Sequence, residues 1–160
     1  MIIAIFAVDS KLGIARNGVL PWPFSKDDMK WFKSQTTDQV VVMGKKTWDA
    51  PDMSAPLPNR HNAVFTHDEN NNLFYERLSS NVCNELKRLQ LEHPEKTIFV
   101  IGGASIIEQA AAVLDGAYIT RVSGDYECDT FIDLPNVINN MECIETRLLG
   151  TATLEIYTRK

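Results

Sequence analysis

Two glycine junctions and one acidic helix start carry the groups with which this chain could do chemistry. Met43-Gly44-Lys45-Lys46-Thr47 and Ile101-Gly102-Gly103-Ala104-Ser105 each read as an apolar strand that passes through glycine into a helix. The first turn of a helix leaves backbone N–H groups unpaired at the positive end of its dipole, and glycine lets a ligand approach closely, so both junctions suit phosphate. Two of them in one chain suit a dinucleotide. Lys45 and Lys46 oppose the local dipole and gain a reason if an anion such as a ribose 2′-phosphate sits beside them. The alternative is that each glycine only makes a tight turn. Neither segment matches G-x-G-x-x-G or G-x-x-x-x-G-K-[ST], so a standard Rossmann domain or P-loop is not indicated.

Leu20-Pro21-Trp22-Pro23-Phe24 leads into Ser25-Lys26-Asp27-Asp28, where a serine N-cap is followed three residues later by an acid. On that helix Asp28 shares a face with Trp31 and Phe32, which sets a carboxyl group beside large apolar rings, while Asp27 faces solvent. Asp28 then either closes a capping box with Ser25 or floors an apolar cleft. In a cleft its pKa would be perturbed, and it could grip a flat heterocycle through two hydrogen bonds.

The elements that must position these groups follow from periodicity. Ile2–Val8 is a continuous apolar run, as expected of a central strand buried on both faces. Asp9 to Phe24 holds Gly13, Gly18, Pro21 and Pro23, and is expected to be an irregular loop, a candidate lid. The helix from Ser25 runs to about Gln35. Further strands are expected at 39–43, 62–66, 73–75, 97–101, 117–122, 143–149 and 152–158, the last two joined by a turn at Gly150. Helices are expected at 79–91, with Val82, Leu86, Leu89 and the stem of Lys87 on one side, and at about 105–114. Asn70-Asn71-Asn72 reads as a surface loop. Alternating strands and helices imply an α/β fold with a mainly parallel sheet, helices on both faces and an antiparallel edge hairpin.

At 160 residues one domain is expected, and a net charge of −5 argues against a general affinity for nucleic acid. The longest apolar stretch, Ile2 to Val8, is too short to span a bilayer and has no basic segment before it, so a cytoplasmic protein with no membrane partner is expected. Cys83, Cys128 and Cys143 are widely spaced, which suggests idle thiols and no metal site.

Leu20-Pro21-Trp22, Asp28 with Trp31-Phe32-Lys33, Val42 to Trp48, Leu57-Pro58-Asn59-Arg60, Val100-Ile101-Gly102-Gly103 and Asp129-Thr130-Phe131 fall in an order and spacing that resembles the dihydrofolate reductases, over nearly the whole chain. The resemblance implies a three-layer domain over residues 1–160 with an eight-stranded sheet, working as a monomer with NADPH on dihydrofolate. It implies that Asp28 binds the 2-amino group and N3 of the pterin and, with a water near Trp22, promotes protonation of N5, with Leu20 beside the reaction. It places Ile3, Ala4 and Ile5 as the strand floor under the pterin, with the carbonyls of Ile3 and Ile101 as acceptors and with Phe32 and Leu57 against the rings. Arg60 would bind the glutamate α-carboxylate, its alternative being a solvated surface charge, and Thr120 would support Asp28 from a neighbouring strand.

On the cofactor side the matching positions are Ala7, Ile14, Gly44, Lys45, Lys46, Thr47, Thr66, His67, Gly102, Gly103, Ala104, Ser105, Ile106 and Ile107, with a cis peptide between the paired glycines. Ile107 stands where many bacterial members have tyrosine, and Ser105 where some have an arginine for the 2′-phosphate. A riboflavin-pathway reductase would share the fold and NADPH, but Trp22, Asp28, Phe32 and Arg60 together speak against it. A silent binding protein on the same fold is the alternative of another class.

Overall fold

The computed structural model describes residues 1–160 apart from Phe24, Ser54, Asn70 and Asn71. Its strands are β1 (Ile2–Val8), β2 (Gly13–Ala15), β3 (Val40–Gly44), β4 (His61–Phe65), β5 (Glu76–Leu78), β6 (Ile98–Gly102), β7 (Gly116–Arg121), β8 (Thr130–Phe131), β9 (Met141–Leu149) and β10 (Ala152–Arg159). Its helices are α1 (Lys26–Thr36), α2 (Lys45–Trp48), α3 (Val82–Glu92), α4 (Ala104–Ala110) and α5 (Leu134–Val137), with a 3-10 turn at Ala111–Val113.

Eight strands form one sheet in the order β5-β4-β3-β6-β1-β7-β10-β9. The pairings from β5 across to β7 are parallel, and β10 joins β7 and β9 antiparallel, so the sheet is mainly parallel with an antiparallel C-terminal pair. Alternate residues of each central strand serve opposite faces, as the pleat requires. Ile2, Ala4, Val40, Val42, Ile98 and Val100 pack with Leu86 and Leu89 of α3 and Ile107 of α4, whereas Ile3, Ile5, Val41, Met43 and Phe99 pack with Phe32 of α1 and Trp48 of α2. Burial on both faces is why these strands are apolar throughout.

Parallel strands all end on one edge, and ligands of open α/β sheets bind beyond that edge where the strand order reverses. Here the chain starts at β1, builds outward to β5, and returns with β6 between β3 and β1. The β3–β6 register jumps from Val42↔Val100 to Met43↔Gly102, leaving Ile101 without a partner in β3 and opening the two strand ends.

Several sequence expectations need correction. The run at 73–75 is not a strand: Leu73 is exposed in a turn, and the edge strand is β5, Glu76–Leu78. Apolar residues in a turn gave the wrong signal. The helix expected from Ser79 starts at Val82, capped by the Asn81 side chain on the Asn84 N–H at 3.1 Å. Its inner face carries Glu85, held by Arg88 and the Ser79 N–H, while Lys87 is exposed. The expected lid is not irregular throughout: β2 pairs with β8, and Arg16 and Val19 bond each other across Asn17-Gly18, both at positive φ. That is a type I′ hairpin turn, for which Asn-Gly is the preferred pair. Phe24 and the first two residues of the expected Asn70-Asn71-Asn72 loop lie outside the described residues.

One glycine is fixed by the passing backbone. A Cβ on Gly116 of β7 would lie 2.5 Å from the Tyr157 carbonyl oxygen of β10, a group already bonded in the sheet and unable to swing aside. Gly116→Ala should cost about 1–3 kcal/mol, read as a lower urea midpoint at unchanged m-value.

Candidate active site

A cleft of about 730 Å³ opens at the carboxyl ends of the parallel strands. Its wall is drawn from Phe6 and Ala7 of β1, Gly44 of β3, Ile101 and Gly102 of β6, Thr120 of β7, and the starts of α1, α2 and α4. Phe32, Leu57 and Ile101 in that wall pack on the core of one sheet face, and Ile14, Phe65 and Ile106 on the core of the other. The cleft therefore straddles the sheet, with two differently built halves.

The first half is floored by Asp28. Ser25 caps α1 and accepts the Asp28 N–H at 3.2 Å, so that half of the expected capping box exists. The Asp28 carboxyl itself turns the other way, into the cleft, where Oδ1 accepts a hydrogen bond from the Thr120 hydroxyl at 3.0 Å. Burial raises its pKa above the ordinary 3.8, and the neutral hydroxyl only partly offsets this. Trp31 and Phe32 flank it, as i+3 and i+4 spacing on one helical face dictates, and Met29 lines the cleft beside them.

Arg60 stands just outside this half. Its Nε donates to Thr36 at 3.0 Å and its Nη1 to the Pro58 carbonyl at 3.2 Å, with the guanidinium 5.9 Å from the Phe32 ring centre. It has no carboxylate partner among the described residues and its pKa is lowered by partial burial. Such a guanidinium is fixed in place and short of an anion.

The second half is built from backbone. Gly44 caps α2 and Gly103 caps α4, neither with a side-chain hydrogen bond, so both helices present N–H groups to the same cleft without a side-chain cap among the described residues. The Gly102-Gly103 peptide is cis, and Gly102 adopts φ +149, a conformation open to glycine. Lys45 does not reach out as its position suggested: its Nζ is held by both Asp49 oxygens at 2.8 Å, an i,i+4 pair. Lys46 remains, with no ion pair among the described residues.

The segment expected as a lid lines the cleft through Ile14, Ala15, Gly18, Val19 and Leu20, and is pinned at its root by Asp9. This buried carboxylate accepts N–H groups from Lys11, Gly13 and Tyr126 and the Cys128 thiol. Burial works to raise its pKa, yet these donors prevail and hold it below the ordinary value. The Cys128 thiol is pushed up to about 11 by burial and by Asp9, leaving it inert. Farther along, Asp129 receives the Asn17 N–H at 2.8 Å, and Asp52 receives the Leu20 N–H at 3.0 Å from the opposite wall.

Of the residues expected from sequence, Ile5, Ala7, Ile14, Leu20, Asp28, Phe32, Gly44, Lys45, Lys46, Thr47, Leu57, Ile101, Gly102, Gly103, Ala104, Ser105, Ile106, Ile107 and Thr120 meet in this one wall. Others do not. Ile3 and Ala4 are fully enclosed in the sheet beneath it, and Trp22 packs edge-on against Tyr126 at 5.9 Å. Thr66 follows β4 and accepts the Asp68 N–H, and His67 is exposed. Sequence reasoning missed Met29, Ala50, Asp52 and Met53. Met29 could have been found from its place beside Asp28 on α1, but nothing in the local pattern of 50–53 marks a cleft wall.

Comparison with known proteins agrees with this geometry. A sequence model described as dihydrofolate reductase matches residues 1–147. The viral dihydrofolate reductase of Saimiriine herpesvirus 2 (strain 488) is 32% identical, over 82% of this chain and 70% of its own. Dihydrofolate reductase type 8 of Escherichia coli is 31% identical, over 87% of this chain and 84% of its own. A solved structure of dihydrofolate reductase from Enterococcus faecalis, complexed with NADP(H) and RAB-propyl, superposes with a TM-score of 0.82 at 24% identity, covering 100% of this chain and 96% of that one. With an enclosed carboxyl group on one side of the strand ends and two open helix starts on the other, the chain belongs to the dihydrofolate reductase family.

Proposed function

We infer that this chain reduces 7,8-dihydrofolate to tetrahydrofolate with NADPH. The observation that carries the reading is the Asp28 carboxyl, turned into an apolar cleft with a neutral hydroxyl as its partner and a raised pKa. A carboxyl group so placed binds an amino group and an adjacent ring nitrogen side by side, as the pterin edge offers, and burial makes it a better proton holder than an exposed aspartate. Protonation of the C=N nitrogen is what makes its carbon accept hydride, so the chain's part is to orient the ring and favour that proton. Phe32, Leu57 and Ile101 supply the apolar faces, and Leu20 lines the same cleft from the 9–20 segment.

NADPH supplies the hydride when bound. The N–H groups at the starts of α2 and α4 fit its phosphates, and no side chain at Gly44, Gly102 or Gly103 blocks their approach. Lys46 and Ser105 would meet the 2′-phosphate side, since Lys45 is engaged with Asp49. One chain supplies both halves of the cleft, so the reading includes a monomer. The net charge of −5 supports the absence of a nucleic-acid partner, and the free thiols suit the cytoplasm.

Consumption of NADPH on addition of dihydrofolate tests the reading directly. Tight binding of a folate analogue without turnover would select the silent binding protein instead. Asp28→Asn should reduce turnover at pH 7 by about 100-fold or more, with a smaller deficit at pH 5 where solvent can protonate the substrate.

The same variant should be at least as stable as the parent at pH 7. A folded-state pKa above the unfolded 3.8 means that the folded chain holds the extra proton, so stability declines as pH rises through that window and stays lower above it. Asparagine removes this loss and can still accept from Thr120. Unchanged turnover with reduced stability would return Asp28 to a capping role. Arg60→Leu should raise KM for dihydrofolate about 10- to 100-fold, and leave a dihydropterin without the glutamate tail nearly unaffected. Equal losses on both substrates would place Arg60 outside the site.

A further inference from the structure

Outside the cleft lining, the outer edge of the sheet brings together three side chains that the reductase chemistry does not use. His61 opens β4, Glu76 opens β5, and His93 caps the C-terminus of α3, and none of them lines the cleft. One ligating atom from each lies within 4.8 Å of the others. His61 Nε2 is 2.8 Å from Glu76 Oε1, and the two imidazole rings lie 4.9 Å apart between centres. We propose that His61, Glu76 and His93 bind one divalent transition-metal ion of the zinc type, clipping the sheet edge to the end of α3.

The donor set is the first reason. Two imidazoles and a carboxylate suit zinc, with solvent completing the coordination. Donors about 2.0 Å from a tetrahedral zinc are about 3.3 Å apart, and the observed separations bracket that value. Rotation of half-exposed side chains spans the difference.

The second reason is charge. Arg88 binds Glu76 Oε2 at 2.8 Å, Glu85 at 3.0 Å and Glu92 at 2.8 Å. Three carboxylates around one guanidinium leave a surplus of two negative charges when the imidazoles are neutral, which one divalent ion balances. Arg88 also fixes the Glu76 carboxylate from behind, so that Oε1 faces the rings, as outer partners of metal ligands do. The third reason is His93 itself. Its ring nitrogens have no hydrogen-bond partner among the described residues, whereas an ordinary His61–Glu76 ion pair needs no third member.

The location indicates the effect. β5 is a three-residue edge strand, paired among the described residues to β4 alone. An ion joining it to β4 and α3 would stabilise the fold without touching turnover, since binding only to the folded chain raises its apparent stability.

The test is calorimetric titration of the chelator-treated, full-length protein with zinc chloride, paired with thermal unfolding. One ion per chain and a raised Tm are expected. His93→Gln should weaken binding at least tenfold and abolish the Tm shift, while dihydrofolate reduction and metal-free Tm stay unchanged. His61→Gln should weaken binding likewise. Cobalt(II) gives a second readout: nitrogen and oxygen ligands yield visible d–d bands without a thiolate charge-transfer band. The proposal fails if no one-to-one binding appears at submillimolar zinc, if His93→Gln binds as tightly as the parent, or if cobalt reports a thiolate ligand from Cys83 or Cys143.

Discussion

A carboxyl group kept in apolar surroundings with one neutral partner is the constraint around which this molecule is arranged. An ionised Asp28 would be far better solvated in water, so its place must be enforced by the packing of α1. Phe32 and Thr36 are the residues that seat the helix on the sheet, and Ser25 fixes its first turn. Thr120 reaches Asp28 from the carboxyl end of β7, a strand whose register against β1 runs from Gly116 to Arg121. The helix, the β1–β7 pair and the cap thus agree on one position for two oxygen atoms.

Asp9 shows what the same chemistry looks like when it serves structure. Both acids leave water, yet their pKa values move in opposite directions because three backbone N–H groups converge on one and a single hydroxyl on the other. Two like groups pushed apart by their surroundings mark the division of labour. Asp9, held below the ordinary carboxyl range, ties the start of the Asp9–Leu20 segment to the 124–128 loop, while burial holds Asp28 above that range. The Asp9–Leu20 segment is therefore anchored firmly at one end, and at the other Leu20 meets Asp52 through an exposed hydrogen bond.

How much of this was legible in the sequence follows from how local each feature is. β1, β3 and β6 announce themselves because burial on both faces demands an unbroken apolar run, and the serine cap of α1 depends on residues three apart. The two glycine junctions were visible for the same reason. β5 was misplaced because Leu73 and Phe74 are apolar yet exposed, while the true strand carries Glu76 and Arg77. β2 is three residues long and exists only because Thr130 and Phe131 return to pair with it, a contact no local window contains. The Asn17-Gly18 turn is local, but its pair of residues is crowded by the neighbouring breakers Gly13, Pro21 and Pro23.

Long-range convergence also separates the two sites by their legibility. The cleft is written in recurring local grammar, strand end to glycine to helix start, because phosphate is met by backbone and backbone conformation is set nearby. Side-chain clusters have no such grammar. His61, Glu76 and His93 are separated by 15 and 17 positions, and only the parallel pairing of β4 with β5 and the length of α3 bring them together. Cysteine spacing, the usual sequence sign of a metal, says nothing about them. The order of the strands decides which distant residues become neighbours, so a site made of side chains can be read only after the sheet is known.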